Sequence, residues 1–333
     1  MSRGSSVTRR SALVAGGATL AALSLTRAAF AQKFPSRNIM ITIPTGEGGG
    51  ADRDARLFTS SWRKRLNTNF EFEFYPGAAG QVGYEFYLKK EPNPHDLLFA
   101  NLGPEVIMLT LQAPHIKVGT DIVYIQQTLS EPMAVWVGPN SPIGSLEQLV
   151  DEAKSRTVTV SVSRLPHPAS IGMLALGEQM GAKFNLVPYG GGNPSAMAAI
   201  TGEVDCCALP ITNAIQLGDQ ARILGVFDDK NPAGEAADNA PTVNEVFGLK
   251  LPPMTSSRAF AVHGATIERF PEEVAHLKAT MQQTLEDPAY AKSVEDAGLP
   301  PIFIDPGDQE RAMTVAQATA ELAERYRSLL TGK

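Results

Sequence analysis

The chain contains little cysteine and histidine. Its two cysteines, Cys206 and Cys207, are neighbours, and none of its five histidines forms an H-x-x-x-H pair. Adjacent cysteines rarely bridge, because their Cα atoms lie about 3.8 Å apart and disulfides prefer roughly 5.5 Å. Asp205 alone adds too few ligands for a metal site. We therefore expect two small residues in a buried strand, without a disulfide or a metal.

The chain also lacks an excess of positive charge and a serine-hydrolase motif. The formal net charge is −6, and it becomes −10 over residues 32–333 because four arginines and no acids precede them. An acidic chain with scattered lysines and arginines has no basic patch for nucleic acid. No G-x-S-x-G occurs. A hydrolase site would therefore have to combine Ser163 and His167 with a distant acid. The acidic charge excludes a nucleic-acid partner.

The single long apolar run lies near the N-terminus. Ala12–Leu25 carries no charge, follows the pair Arg9 and Arg10, and precedes the small-x-small site Ala29–Ala31. The run is shorter than the roughly 20 residues that a membrane-spanning helix needs. We predict that residues 1–31 are a cleaved twin-arginine export signal, with an ordinary secretory signal as the alternative. The remainder is expected to be a soluble periplasmic protein.

The rest of the chain alternates short strands and helices. Apolar runs such as 38–43 and 157–163 are followed by glycine- or proline-rich turns and then by helical patterns. Phe70, Phe72 and Phe74 alternate with glutamates, as in a half-buried strand. Regular alternation of this kind is typical of parallel sheets covered by helices. The fold class predicted from the pattern is therefore α/β.

Two sets of strand–helix units indicate two lobes. Strands near 133–137 and 259–263 would be the two crossovers between them. Lobe 1 is expected over residues 32–133 and 259–333, and lobe 2 over residues 134–258.

Three glycine-rich turns follow strands and precede helices, at residues 44–56, 76–80 and 189–192. Glycine lets a ligand approach the backbone, and a helix start offers free N–H groups and the positive end of its dipole. Turns at strand ends of an α/β sheet would line one crevice. The pattern favours a cleft for a small anionic ligand. For any single turn, a tight turn without a ligand is the simpler interpretation.

The Gly46–Ala51 loop also matches the dinucleotide fingerprint G-x-G-x-x-A. Such a site needs an acid about 20 residues further on, where Glu71 or Glu73 stands, although the solvent-facing side of a strand explains both glutamates. The competing hypothesis is an exported NAD(P)-dependent oxidoreductase that uses this loop.

Several short motifs share the order typical of one family. They are Phe34–Ile39, Ile43–Pro44, Gly48–Arg56, Pro76–Gly80, Val187–Gly191 and Gly202–Asp205. In this order the chain resembles, from about residue 34 to 330, the Bug-type substrate-binding proteins of tripartite tricarboxylate transporters. The resemblance implies a type II periplasmic binding protein, with two α/β lobes around a ligand cleft joined by two crossover strands. It also implies a non-enzymatic protein without a cofactor, which passes a small organic acid to transporter membrane subunits or to a sensor.

The resemblance also implies where the ligand binds. The family's first two loops hold a carboxylate through backbone groups and bridging waters, which here correspond to Thr45, Gly46, Glu47, Gly48, Gly49, Ala51, Asp52, Gly77, Ala78, Ala79 and Gly80. The second lobe sets selectivity, which here falls to Ser163, Arg164, His167, Ser170, Tyr189 and Asp205.

Three of these residues depart from the family pattern. Glu47 stands in an anion-binding loop, where it repels a carboxylate unless a cation meets it. Arg164 replaces a usual glycine, and Ser170 a usual histidine. We expect Arg164 either to compensate Glu47 or to be the main anion anchor, with His167 as a nearby donor. The simpler alternative is that Arg164 and His167 are surface polar residues of a turn.

Overall fold

The computed structural model describes residues 34–332 of the chain. The export signal predicted over residues 1–31 lies outside the described residues and stays a prediction. Within the described range, no helix combines the length and the apolar character that crossing a bilayer requires.

The strands of the described region pair into one mixed sheet. They are β1 (Ile39–Ile43), β2 (Phe70–Phe74), β3 (Asp96–Asn101), β4 (Ile122–Val137), β5 (Val158–Val162), β6 (Phe184–Pro188), β7 (Cys206–Pro210), β8 (Arg222–Val226) and β9 (Thr255–His263). Their order is β2-β1-β3-β9-β4-β7-β5-β6, and β8 also pairs with β4.

Helices connect these strands and cover both faces. They are α1 (Gly50–Leu66), α2 (Gln81–Leu88), α3 (Leu102–Leu111), α4 (Leu146–Ser155), α5 (Pro168–Met180), α6 (Gly192–Ile200), α7 (Ile211–Leu217), α8 (Val243–Phe247), α9 (Gly264–Arg269), α10 (Pro271–Leu285), α11 (Pro288–Asp296), α12 (Gln309–Arg325) and α13 (Arg327–Thr331). A short 3₁₀ turn, Ala78–Gly80, precedes α2.

The long strand β4 belongs to two halves of the sheet. Its first part, Ile122–Pro132, pairs antiparallel with β9, which leads through β3 to the parallel strands β1 and β2. Its last part, Met133–Val137, pairs with β7 and β8, and β7 leads through parallel pairing to β5 and β6. The α/β architecture predicted from the sequence is confirmed. The strand predicted at 133–137 begins much earlier, at Ile122.

Separate apolar cores support the two halves. Tyr84 and Tyr124 lie in a core under the β3–β9 half, together with Ala312 of α12. The other half has a core on each face, and the neighbours Cys206 and Cys207 of β7 point into opposite ones. Both cysteines are buried free thiols, as expected, and burial raises the pKa of each.

The C-terminal segment contacts the second half of the molecule. Ala323 and Tyr326 join the core around β5 and α5, and α13 packs against α5. The sequence placed residues 259–333 in lobe 1. The lobe boundaries near 133 and 259 stay a proposal.

Candidate ligand-binding cleft

A cavity of about 680 Å³ is lined by residues of both sheet halves. Its wall contains the starts of α1, α2 and α3 from the first half, and the starts of α5, α6 and α7 from the second. The first N–H groups of a helix have no partner within the helix and lie at the positive end of its dipole. An anion placed in this cavity would therefore meet several helix starts at once.

A larger groove of about 970 Å³ lies elsewhere, between α3 and α12. The residues lining it include Met313, Ala316 and Ala320 on the side of α12, together with a mixture of lysines and acids. None of the residues predicted to bind the ligand lies there. The smaller cavity therefore holds the site chemistry that the sequence predicts.

Most of the predicted site residues line the smaller cavity. These are Thr45, Gly46, Glu47, Gly49, Ala51, Gly77, Ala78, Ala79, Gly80, Ser163, Arg164 and His167. Five do not line it, namely Gly48, Asp52, Ser170, Tyr189 and Asp205.

Asp52 and Arg56 organise the first glycine loop. Asp52 accepts a hydrogen bond from the Gly48 N–H at 2.9 Å and another from Arg56 Nε at 2.5 Å. Arg56 Nη2 also lies 3.5 Å from the exposed carboxylate of Glu47. The cation that meets Glu47 is therefore Arg56, so the prediction that Arg164 compensates Glu47 is wrong.

Arg164 reaches from the second half of the molecule into the first. Its Nη1 donates to the Ala79 carbonyl at 2.7 Å and lies 3.8 Å from Glu105 Oε1. Its side chain is only 16% exposed, so it is not a surface residue. Burial lowers its pKa, against the opposing effect of Glu105. Arginine still keeps its charge in a protein, so the cavity wall carries a buried cation.

Glu105 is the fully buried carboxyl group next to Arg164. It accepts hydrogen bonds from the Tyr84 hydroxyl at 3.1 Å, the Asn101 N–H at 3.0 Å and Asn101 Nδ2 at 3.2 Å. Burial raises its pKa, and Arg164 partly opposes that shift. A raised pKa means that Glu105 carries its negative charge less readily. At 3.8 Å from Arg164 Nη1, it therefore neutralises the charge of Arg164 incompletely.

His167 is a buried neutral donor. Its Nδ1 accepts the N–H of Ala169 at 3.1 Å and so caps α5. Burial lowers its pKa to about 3, and the charges of Arg164 and Arg258 add to the effect. The proton of the neutral ring must then sit on Nε2, where it can be donated. Because Nδ1 bonds to backbone, no acid orients this ring as a hydrolase with Ser163 would need.

Ser170 and Asp205 have structural partners outside the cavity. Ser170 Oγ donates to the Arg164 carbonyl at 3.2 Å, which fixes the backbone of the turn. Asp205 accepts from Arg156 Nη2 at 2.9 Å and from the Thr159 N–H at 2.7 Å. The structure thus gives Ser170 an indirect connection to the cavity and Asp205 none.

Tyr189 also faces away from the cavity. Its hydroxyl donates to Glu203 Oε1 at 2.8 Å. Its neighbours Pro188 and Gly190–Pro194 line the cavity instead. The third glycine turn therefore contributes backbone and the start of α6.

Arg258 on β9 is a cavity residue that the sequence analysis missed. Its side chain is 7% exposed, and its Nε donates to Asp54 Oδ2 at 3.1 Å. Its Nη1 donates to Ser256 Oγ at 3.2 Å, and its Nη2 lies 3.7 Å from Glu131 Oε1. One signal was available, because a lone arginine in an otherwise small and apolar strand needs a buried partner.

The wall has further polar atoms, some on the predicted Thr45 and others on Asn101 and Asn193, which the sequence analysis missed. Thr45 Oγ1 and Asn101 Oδ1 are buried and lack a hydrogen-bond partner among residues 34–332. Asn193 Nδ2 donates across the cleft to the Gly48 carbonyl at 3.1 Å. Together with the Arg164–Ala79 bond, this contact joins the two halves at the cavity.

The acids that an NAD(P) site would need are engaged elsewhere. Glu71 accepts from Asn38 Nδ2 at 2.8 Å, and Glu73 accepts from Thr42 Oγ1 at 2.5 Å and from Lys90. Neither glutamate lines the cavity. The interpretation as a solvent-facing residue is confirmed for Glu71, which is exposed, whereas Glu73 is only 21% exposed and pairs with Lys90.

Comparisons with known proteins agree with this geometry. Residues 55–325 match the family described as "Tripartite tricarboxylate transporter family receptor". The chain is 25% identical over 289 residues to Protein BugT of Bordetella pertussis. The aligned region covers 84% of this chain and 86% of that protein.

Three solved structures show the fold. MatC from Rhodopseudomonas palustris with bound malate has a TM-score of 0.73 at 21% identity, covering 89% of this chain and 100% of that one. Rpa4515 from R. palustris with adipate has a TM-score of 0.77 at 17% identity, covering 90% and 98%. A periplasmic binding protein named BugD gives a TM-score of 0.77 at 18% identity, covering 89% and 98%. The fold is that of a two-lobed periplasmic binding protein.

Proposed function

Because the chain belongs to the tripartite tricarboxylate transporter receptor family, we propose that it is a periplasmic solute-binding protein for a small organic carboxylate. The acid binds between the two lobes and leaves unchanged, for delivery to the membrane subunits of a transporter or to a sensor. The observation that carries the proposal is the buried guanidinium of Arg164 in a cavity walled by helix starts.

The recognition chemistry follows from the cavity wall. Arg164 keeps N–H donors beyond the one that bonds Ala79, and a carboxylate takes such donors in pairs. The neutral His167 offers one more donor without adding charge. Closure of the lobes removes water from the cavity, which strengthens these charged hydrogen bonds. The MatC structure with malate and the Rpa4515 structure with adipate support an organic acid as the ligand class.

The proposal includes the export route and the division into lobes. Arg9 and Arg10 before an apolar run support twin-arginine export of a folded protein to the periplasm. The two halves of the sheet on either side of residue 133 of β4 support lobes over 32–133 with 259–333, and over 134–258.

A thermal-shift screen of residues 32–333 tests the proposal. The panel contains mono-, di- and tricarboxylates, aromatic acids and NAD(P). We expect one class of acid to raise the melting temperature in a concentration-dependent way, because a ligand that binds only the folded state stabilises it. A shift with NAD(P) and none with any acid would contradict the proposal.

A further inference from the structure

The sheet passes from one half to the other at a short junction. There, residues 129–132 of β4 pair with residues 255–258 of β9, and from Met133 onward β4 pairs with β7 instead. The register between β4 and β9 shifts at the edge of the junction, between Gln127 and Leu129. Such an irregularity bends a strand and interrupts its hydrogen-bond ladder. The junction is therefore the place where the two halves can change their relative orientation.

Two opposite charges are buried in the junction. Glu131 is 1% exposed and Arg258 is 6% exposed. A buried charge lowers stability unless it is paired and hydrogen-bonded. Apolar side chains would often fill the same space at a lower cost, so the pair indicates a role in holding particular elements together.

Arg258 connects the junction to the first half of the molecule. Its Nε donates to Asp54 Oδ2 on α1 at 3.1 Å, and its Nη1 donates to Ser256 Oγ on its own strand at 3.2 Å. Its Nη2 lies 3.7 Å from Glu131 Oε1 on β4. Because a guanidinium presents its donors in a rigid planar fork, this one side chain fixes α1 relative to both junction strands.

Glu131 connects the junction to the second half. Its Oε2 accepts the N–H of Thr212 at 3.2 Å and the Thr212 hydroxyl at 2.5 Å, at the start of α7. The residues on either side of this position, Pro210 and Asn213, line the cavity. A movement of Glu131 would therefore carry part of the cavity wall with it.

A second path joins the same two helices at the surface. Arg53 on α1 lies 3.3 Å from Asp54 Oδ1 and also donates to Gln216, an exposed residue of α7. Helices α1 and α7 are thus connected directly through Arg53, and through the junction by Asp54, Arg258 and Glu131. The start of α1 lines the cavity as well. The buried path therefore controls how two walls of the cavity face each other.

We infer that Arg258 is a positioning residue for closure of the lobes. By holding Asp54 and Glu131 together, it sets the orientation of α1 against α7 and so raises the fraction of ligand-free molecules whose lobes are joined. The apparent affinity of a ligand falls in proportion to the fraction of molecules that can bind it. Arg258 therefore acts on every acid by the same factor. The inference rests on the proposed function, since it describes how that cavity closes.

Small-angle X-ray scattering of residues 32–333 without ligand tests this directly. We expect a larger radius of gyration in Arg258→Gln than in the wild type, because the lobes separate more often. Val150→Ala truncates a buried side chain of α4, away from the junction. As a control it should lose stability and keep the radius of gyration. An unchanged radius in Arg258→Gln would overturn the inference and leave the proposed function standing, since no ligand is present.

Titration calorimetry distinguishes closure from direct contact with a ligand. Malate and adipate are the first pair of acids, and the two tightest acids of the thermal-shift panel replace them if they do not bind. We expect Arg258→Gln to weaken both acids by the same factor, roughly three- to tenfold, which is in the range of coupled contacts. A loss for one acid alone would overturn the inference. Failure of every acid would instead overturn the proposed function.

A double-mutant cycle with Glu131→Gln tests the path through the junction. This variant removes the charge that faces Arg258 and keeps an acceptor for Thr212. We expect a loss similar to that of Arg258→Gln, and a double variant that binds within about twofold of either single variant, because all three break one path. Losses that multiply in the double variant would show independent roles and overturn the inference.

Arg258→Lys replaces the glutamine variant in all three measurements if that variant does not fold. Lysine keeps the charge, but its single ammonium lacks the planar fork that holds Asp54 and Glu131 at once. We therefore expect a larger radius of gyration in this variant too. A radius and acid affinities equal to those of the wild type would contradict the inference. Arg156→Gln, at a surface arginine paired with Asp205, is the matched control and should change neither quantity.

Discussion

The buried charges of the cavity are held in place by few contacts, so single substitutions should separate their roles. Arg164 has one close hydrogen bond, to the Ala79 carbonyl at 2.7 Å, and a looser contact with Glu105 at 3.8 Å. Within residues 34–332, only one of its five N–H groups forms a close hydrogen bond to the protein. The guanidinium is therefore available to a ligand without prior loss of several bonds.

Arg164→Ala should weaken binding of the best acid by more than about 1.5 kcal/mol, or roughly tenfold, because it removes charge-assisted hydrogen bonds. Calorimetry with the acid found by the screen measures this. Arg156→Ala, a surface arginine bonded to Asp205, is the control and should bind as the wild type does. An unchanged affinity in Arg164→Ala would exclude Arg164 as an anchor.

His167 should make the fold sensitive to acid. Its pKa falls from 6.5 to about 3 on burial, so the unfolded chain binds a proton at a pH where the folded chain does not. The stability contributed by the neutral ring is present above pH 6.5 and is lost as the pH falls toward about 3. Between pH 8 and pH 5, this linkage amounts to about 2 kcal/mol.

His167→Asn removes the titrating group and keeps a side-chain acceptor for the start of α5. Urea unfolding from pH 8 to pH 5 should show that the wild type loses about 2 kcal/mol more than the variant over this range. Parallel pH profiles for the two proteins would show that His167 does not titrate as a buried group.

The residues of the site differ in how visible they were to sequence reasoning. Arg164 and His167 follow a strand and precede a helix, so their place at the cavity was predictable. For Arg258 the sequence signalled only the need for a buried partner, because that partner, Asp54, lies 204 positions away in the chain. Asn101 was missed for a different reason, since its partner Glu105, four residues away, lies on a helix that the pattern did not reveal.

At the level of elements, the turn before α2 links backbone shape to ligand binding. Gly80 has φ +108°, and an added Cβ would stand 3.3 Å from Glu105 Cγ and 3.4 Å from Arg164 Nη1. An added methyl group would therefore crowd both Glu105 and Arg164. The preceding residues Ala78 and Ala79 also have positive φ, at 43° and 58°.

Gly80→Ala should lower stability by about 1–2 kcal/mol, because alanine is strained at this φ. It should also weaken acid binding severalfold, since the methyl group pushes on Arg164. Gly202→Ala is a matched control with φ +76° and no atom within 4 Å of the added Cβ. It should lose stability alone. If the two variants bind the acid with equal affinity, Gly80 has no role in ligand binding.

Among the elements that the sequence pattern did not reveal, helix α3 and the first part of β4 have a clear physical reason. Helix α3 is buried along most of its length, from Leu102 to Leu109, so it has no polar face to give a helical period. The first part of β4 contains Gln126, Gln127 and Glu131, which are polar and nevertheless buried. Because these side chains are polar, the segment lacks the apolar pattern of a buried strand. The hydrogen-bond partners that allow their burial come from distant segments of the chain. Short strands with clear turns, such as β1 and β5, were predicted nearly in full.

At the scale of the whole molecule, a few contacts hold the two halves together across the cleft. Besides the Arg164–Ala79 bond, Asn193 Nδ2 donates to the Gly48 carbonyl at 3.1 Å and Arg53 donates to Gln216. Such polar contacts are individually weak. The balance between separated and joined lobes should therefore respond to their loss.

Asn193→Ala should shift this balance toward separated lobes. We expect a larger radius of gyration without ligand in small-angle X-ray scattering, and an acid affinity lower by about 0.5–1.5 kcal/mol, the value of one net hydrogen bond. Asn185→Ala, on the exposed face of β6, should change neither quantity. If Asn193→Ala matches the wild type in both, the Asn193–Gly48 contact does not stabilise the joined form.

The claim that the lobes hold one organic acid and release it unchanged is tested most directly by native mass spectrometry. Residues 32–333 are incubated with the acid found by the screen, transferred intact, and then denatured to recover the ligand. We expect one acid per chain, recovered at its starting mass, and little of this complex in Arg164→Ala. A chain that carries no acid, or an acid recovered at an altered mass, would contradict it.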